Sequence, residues 1–371
     1  MMEHCVFLAA GGTGGHLFPA ESLAIALQAR GIAVELATDD RALRYGSQFP
    51  AQAIHTIPAA TPRNGSLMAK GVAALTLLRG VASALLLLRQ RKPACVVGFG
   101  GYPTVPPVLA ASLLGIPTII HDQNAVLGKA NRFLSGRVDA IGCGFPEPGG
   151  VPKSLQSRVH VTGNPVRPSV LEAAQLAYPS LDDQRLRLLV TGGSQGAKVM
   201  SDIVPAAIEL LTPEQRARLV IVQQARGEDE ERVRHAYERM GLAAEVAPFF
   251  KDLPQRIAQA HLVIARAGAS TVSELAVIGR PAILVPFPFA LDQDQAANAR
   301  QLEATGAVDV VAQTGFTPQW LAERLEAAMN EPERLKARAV AAKAAGVPDA
   351  ASRLADLVQS VMARANAETA K

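Results

Sequence analysis

"VFLAAGGTGGH", residues 6–16, runs an apolar segment straight into four glycines and a histidine, and "LRLLVTGGSQGAK", residues 186–198, makes the same transition half a chain later. A short apolar run that ends in a glycine turn and continues as a helical pattern is one step of a βαβ unit. Working outward from 4–9 and 186–191, further strand candidates are 33–37, 94–98, 117–121, 158–162, 219–223, 261–265 and 281–285. Helical patterns lie between them, as at 19–30, 199–211, 228–240 and 271–278. The alternation implies an α/β protein of two Rossmann-like, doubly wound domains, each with a parallel sheet covered on both faces. Proline, glycine and polar residues lead up to "TGNPVRPSV", so a hinge is expected near 164–168, separating residues 1–164 from 165–348. The Ala-rich stretch 349–365 reads as an amphipathic helix able to pack back across that hinge.

The 371 residues, 49% apolar and 19% charged, exclude a disordered chain and are enough for two cores. "MMEHCVFLAA" lacks the basic start of a signal peptide, and no uncharged apolar run reaches the about 18 residues of a membrane span. Cys5, Cys95 and Cys143 lie far apart without metal-ligand spacing, which points to reduced core thiols in a cytoplasm. A net charge of +4 is small for this length and gives no reason to expect nucleic acid as a partner.

A glycine turn between strand and helix lets backbone N–H groups approach an anion, and the helix N-terminus adds partial positive charge. Gly11, Gly12, Gly14 and Gly15 fit this, as do Gly192, Gly193 and Gly196; a tight turn without ligand is the alternative for each. Neither run is a clean GxGxxG, and neither is followed by the Lys-Ser pair of a nucleoside-triphosphatase loop. Asp39 or Asp40, ending the second strand, could hold the ribose of a nicotinamide dinucleotide, which keeps an oxidoreductase open at this point. His16 stands at the carboxyl edge of the first strand, where open α/β sheets bind ligands. An imidazole there suits taking a proton from a hydroxyl near neutral pH, with loop packing as the competing use.

In the second half, residues 265–299 read "ARAGASTVSELAVIGRPAILVPFPFALDQDQAANA". Gly268 and Ser270 precede a helix expected to carry Glu274 in its first turn. A helix N-terminus takes a phosphate, and a carboxylate one turn in accepts both hydroxyls of a ribose; a Ser/Thr capping box with Glu as partner is the alternative. Asp292, Gln293, Asp294 and Gln295 follow a proline-bounded strand. With no second ligand group nearby, sugar-hydroxyl contacts or a solvated loop fit them better than a metal.

Together GGTGGH (11–16), GFGGYPTVP (98–106), HDQNAVLGKAN (121–131), TGNPVR (162–167), TGGSQGAK (191–198), RAGASTVSELAVIGRPAILVPFP (266–288) and DQDQAANA (292–299) resemble the MurG family of GT-B glycosyltransferases. The resemblance implies two domains facing across a cleft. It also implies inverting transfer of N-acetylglucosamine from UDP to the C4 hydroxyl of muramic acid in lipid I, the undecaprenyl-diphosphate-linked N-acetylmuramyl-pentapeptide, giving lipid II. It implies no metal and no other cofactor. Carried over, Ser194 and its glycine neighbours hold the donor diphosphate, Glu274 the ribose, and Phe250 lies against the uracil. Ala269, Ser270, Thr271, Val272 and Ser273 line the phosphate end, and Gln295 meets the sugar. Thr13, Gly14, Gly15, Asn124 and Arg167 complete the donor site from the first domain, and His16 becomes the general base. Two departures stand out: Asp122 where the family usually has Glu, and Phe289 with the 292–295 run where it commonly has His and DDHQ.

Residues 61–92 mix Leu67, Met68, Leu75, Leu77, Leu78, Val81 and Leu85 to Leu88 with Arg63, Lys70, Arg79, Arg89, Arg91 and Lys92. By spacing this is a core helix with a solvated basic end. An acceptor anchored in the membrane implies instead a peripheral docking surface for anionic lipid on the cytoplasmic face of the inner membrane.

Overall fold

The computed structural model describes residues 5–12, 14–39, 49–60, 67–193, 196–290 and 294–369. The chain divides into two compact units, one of Met1–Arg167 with Pro348–Lys371 and one of Pro168–Val347.

The first unit is built on β1 Cys5–Ala9, β2 Ala33–Thr38, β3 Ala53–Thr56, β4 Cys95–Gly98, β5 Thr118–Asp122, β6 Ala140–Cys143 and β7 Val159–Val161. They form one sheet in the order β3-β2-β1-β4-β5-β6-β7, and every pairing is parallel. Both faces are dry, which explains the near-continuous apolar runs. Val6 and Leu8 face one core with Leu17, Leu23 and Leu27 of helix Gly14–Gln28 and Leu354 and Val358 of helix Ala350–Thr369. Phe7 and Ala9, one residue out of phase, face the other core with Ala84 and Leu88 of helix Leu67–Arg91 and Val108 of helix Val105–Leu113. The terminal helix thus packs onto the first unit, where Arg30 pairs with Asp356 at 2.7 Å.

The second unit repeats the plan with β8 Leu186–Thr191, β9 Leu219–Gln224, β10 Ala244–Ala247, β11 Leu262–Ala265, β12 Ala282–Leu284 and β13 Val308–Val310. Their order is β10-β9-β8-β11-β12-β13, again all parallel. Chain direction through each sheet reverses between β1 and β4 and between β8 and β11. Those two switch points, at the carboxyl ends of the strands, are where folds of this kind bind ligands.

Four strands were not expected from the sequence. β3, β10 and β13 are three- or four-residue edge strands carrying His, Glu or Asp, and β6 is a four-residue run holding a glycine. Each is too short to show a period, and pairing with a neighbour already in place is what makes it a strand.

Candidate active site

At the first switch point β1 ends at Ala9 and helix Gly14–Gln28 begins after the glycine turn. The Gly12 N–H donates to Asp39 Oδ1 at 2.9 Å, from a carboxylate only 5% exposed. Asp39 is therefore fastened to the turn rather than offered to a ribose, which removes the support for a nicotinamide site. Asp40 and Thr13 lie outside the described residues. Gly14 is buried against the Phe18 ring, and Gly15 is exposed at the helix end.

His16 is half-buried in the first turn of that helix, against the turn after β4. That turn holds Gly100 and Gly101 at φ 86° and 72°. Both need the left-handed region, and a Cβ on Gly101 would lie 3.3 Å from His16 Nε2. The Thr104 hydroxyl pins the turn by donating to the Gly100 carbonyl at 2.6 Å.

The end of β5 supplies His121, Asp122 and Gln123. Asp122 accepts from the N–H groups of Gly128 (2.8 Å) and Asn124 (3.1 Å) and from Asn131 Nδ2 (3.0 Å). Burial pushes its carboxyl above the usual range, against the pull of those hydrogen bonds. The short carboxylate is spent inside the 124–131 loop, so Asp122 shapes that loop and is not free to reach a substrate. Asn124, half-buried, rides on it. Gln123 Oε1 lies 3.1 Å from His16 Nδ1. Arg167 lays its guanidinium over the Phe18 ring at 4.4 Å, on the same helix as His16.

The second switch point has a different fastener. Gln224, at the end of β9, accepts from the Gly192 N–H (3.0 Å) and the Thr191 hydroxyl (2.8 Å) and donates to the carbonyls of Gly193 and Pro248. A Cβ on Gly192 would sit 2.2 Å from the Ala197 nitrogen, so this turn admits only glycine there. Ser194 lies outside the described residues.

Helix Ala269–Ile278 starts beside it, at the end of β11. Its N-cap is Gly268, with no side-chain cap, which eliminates the capping box. The first helical bond runs from Val272 N–H to the Gly268 carbonyl, so the N–H groups ahead of it point out of the helix end. Ser270, Thr271 and Ser273 are half-buried around that end, whereas the Ala269 and Val272 side chains are buried in the core. Glu274 is not an exposed first-turn residue, as the sequence implied: it sits in the second turn and is 7% exposed. Starting the helix at Ala269, earlier than expected, moves the carboxylate inward.

Two further expectations meet a more crowded structure. Phe250 is buried with Arg256 stacked on its ring at 4.3 Å, while Phe249 beside it is 63% exposed. Gln295, in helix Asp294–Glu303, accepts the Phe287 N–H at 2.9 Å and so braces the loop before it. Asp292 and Gln293 lie outside the described residues. Among the described residues no group of three His, Cys, Asp or Glu side chains could hold a metal ion.

One switch point thus presents an imidazole and the other a helix end with outward N–H groups beside a fastened glycine turn. The model of the glycosyltransferase family 28 N-terminal domain matches residues 6–143, and that of the family's C-terminal domain matches 187–354. A chain from a Methylobacterium species named as UDP-N-acetylglucosamine–N-acetylmuramyl-(pentapeptide) pyrophosphoryl-undecaprenol N-acetylglucosamine transferase is 59% identical over 95% of both chains. The chain belongs to the MurG family. A Brucella suis chain of the same name is 56% identical over 96% of this chain and 94% of its own. The crystal structure of Acinetobacter baumannii MurG superposes with a TM-score of 0.77 at 32% identity, covering 96% and 99% of the two chains.

His121, Gln123 and Gln224 escaped sequence reading as site residues. The available signal was position: polar "HDQ" and "QQ" close otherwise apolar strands at their carboxyl ends.

Proposed function

We propose that this chain transfers N-acetylglucosamine from UDP to the C4 hydroxyl of the muramic acid of undecaprenyl-diphosphate-linked N-acetylmuramyl-pentapeptide, with inversion. The observation that carries this reading is near-full-length similarity to chains named for that transfer. The first unit takes the acceptor and the second the donor. His16 Nε2 removes the hydroxyl proton as the oxygen attacks C1 from the face opposite UDP. The new C–O bond forms while the C1–phosphate bond breaks, and UDP departs with the electron pair. The N–H groups of the helix end at Ala269, Ser270 and Thr271, beside the glycine turn that Gln224 fastens, meet the growing diphosphate charge, work that a metal does in other transferases. Glu274 takes the ribose from within the helix, with Ser194 and Gln295 of the same unit assigned to the donor. Steady-state transfer to a short-chain lipid acceptor tests the reading. Turnover should require UDP-N-acetylglucosamine, and His16→Ala should lower it about 10²–10⁴-fold while calorimetric UDP affinity holds. Transfer to soluble acceptors at equal rate, or a His16→Ala chain with full turnover, overturns it.

We propose further that the chain works at the membrane holding its lipid-linked acceptor, on the cytoplasmic face of the inner membrane. Helix Leu67–Arg91 supports a peripheral docking surface. Ala73, Ala84 and Leu88 face the core, whereas Met68, Val72, Leu75, Leu78 and Leu86 are 52–80% exposed. Exposed Arg79, Arg89 and Arg91 lie along the same helix. Residues Gly71–Arg91 are long and apolar enough to cross a membrane, which the sequence had not led us to expect. With one face in the core of the unit, this helix serves as a surface element and not as a span. Anionic vesicles should bind the protein and release it at high salt, and Arg79→Gln with Arg89→Gln should weaken binding by about 1 kcal/mol per charge. Equal binding to neutral vesicles argues against this surface.

A further inference from the structure

Behind His16 stands a chain of hydrogen bonds that leaves no choice of proton position. His121 Nε2 lies 3.1 Å from the Gly163 carbonyl, and a carbonyl only accepts, so the His121 proton is on Nε2. His121 is fully buried and its pKa is pushed down to about 4, so the ring is neutral and Nδ1 keeps its lone pair. That lone pair faces Gln123 Nε2 at 3.1 Å, and the same amide nitrogen lies 3.4 Å from the His121 carbonyl. Both neighbours are acceptors, so the Gln123 NH₂ must point at them and its Oε1 must point at His16. Oε1 sits 3.1 Å from His16 Nδ1 and can only accept. The His16 proton is therefore on Nδ1, and the basic lone pair is on Nε2.

We propose that Gln123, its amide held in one orientation by His121, is a positioning residue that fixes His16 in the tautomer whose Nε2 can accept a proton. The inference rests on the reading of His16 as the base. A neutral amide does this without stabilising the imidazolium, as a carboxylate would. Asp122, the adjacent carboxylate, is turned away into Gly128, Asn124 and Asn131. The titratable and charged groups around His16 are His121 behind Gln123, Asp122 through its charge, Glu21 farther along the same helix, and Arg167, which stacks on Phe18 of that helix.

The test uses the full chain labelled with ¹⁵N-histidine, with the His16 signals identified by their loss in His16→Ala. In the wild type, His16 Nε2 should report a lone-pair nitrogen and Nδ1 a protonated one. Gln123→Met, isosteric but unable to accept, should shift the ring toward a tautomer mixture and lower kcat about 10- to 100-fold with KM for UDP-N-acetylglucosamine unchanged. Gln123→Glu keeps an acceptor in place but adds a charge. It should move the acid limb of the kcat profile up by about 1 pH unit or more. A wild-type His16 protonated on Nε2 overturns the proposal. So does a Gln123→Met chain with wild-type tautomer and kcat, or an unmoved acid limb in Gln123→Glu. A His16→Ala chain that keeps its turnover overturns the base reading instead, whatever the tautomer.

Discussion

The two glycine turns look alike in sequence and differ in what holds them. At Gly12 the fastener is Asp39, a buried carboxylate from the end of β2; at Gly192 it is Gln224, a neutral amide from the end of β9. Both come from the strand next to the turn's own, and both accept the turn's N–H. A carboxylate cancels much of the positive field that such a turn offers an anion, whereas an amide leaves it standing. Under the proposed function, this suits the second turn to the diphosphate side and the first to presenting His16 to a hydroxyl. Two copies of one backbone device thus differ in the charge of the group behind them.

The largest expected contrast between the units is their response to acid. His121, in the first unit, has a pKa of about 4 against 6.5 for the free side chain. Between those values the unfolded chain binds the proton and the native one does not, so stability is lost as pH falls from about 6.5 to about 4. At 1.36 kcal/mol per unit the full loss is about 3 kcal/mol. Asp122, pushed up by burial, acts in the opposite sense at the acid end of that window. In the second unit burial also pushes His261 down, but its bond to the Ser180 carbonyl and the Asp183 charge oppose the shift. Hydrogen exchange at pH 7, 5.5 and 4.5 should therefore show β4 to β6 losing protection before β8 to β12. Loss in the reverse order breaks the comparison.

Exchanging the fasteners gives a smaller effect. Gln224→Glu puts a carboxylate behind Gly192 and should weaken UDP binding by about 1.5–3 kcal/mol, read by calorimetry. Asp39→Asn keeps an acceptor for Gly12 and should leave UDP affinity within about 0.5 kcal/mol. Equal changes in UDP affinity from both substitutions would mean that the turns are equivalent after all.

The sequence by itself determined the two-unit plan, the central strands and the glycine turns at their carboxyl ends. Strands dry on both faces must be apolar throughout, and glycines must stand where the chain turns at their ends. Those demands are local, so "VFLAAGG" and "LRLLVTGG" state them outright. The positions of His16 and of the helix end at Gly268, at the carboxyl ends of β1 and β11, could be read for the same reason. Only the tertiary structure decided which polar groups serve the site and which serve the fold. Asp39 reads as a possible ribose ligand and is a buried fastener, as is Asp122; Glu274 reads as a first-turn residue and lies buried in the second turn. Gln224 stands in none of the motifs, and Gln123, inside HDQNAVLGKAN, has no role of its own there. Their roles come from hydrogen-bond partners 107 and 32 residues away in the chain, brought within about 3 Å by parallel pairing. A polar side chain has the same composition and spacing whether it faces a substrate or a buried N–H. What it can do is set by the partner that packing puts opposite it.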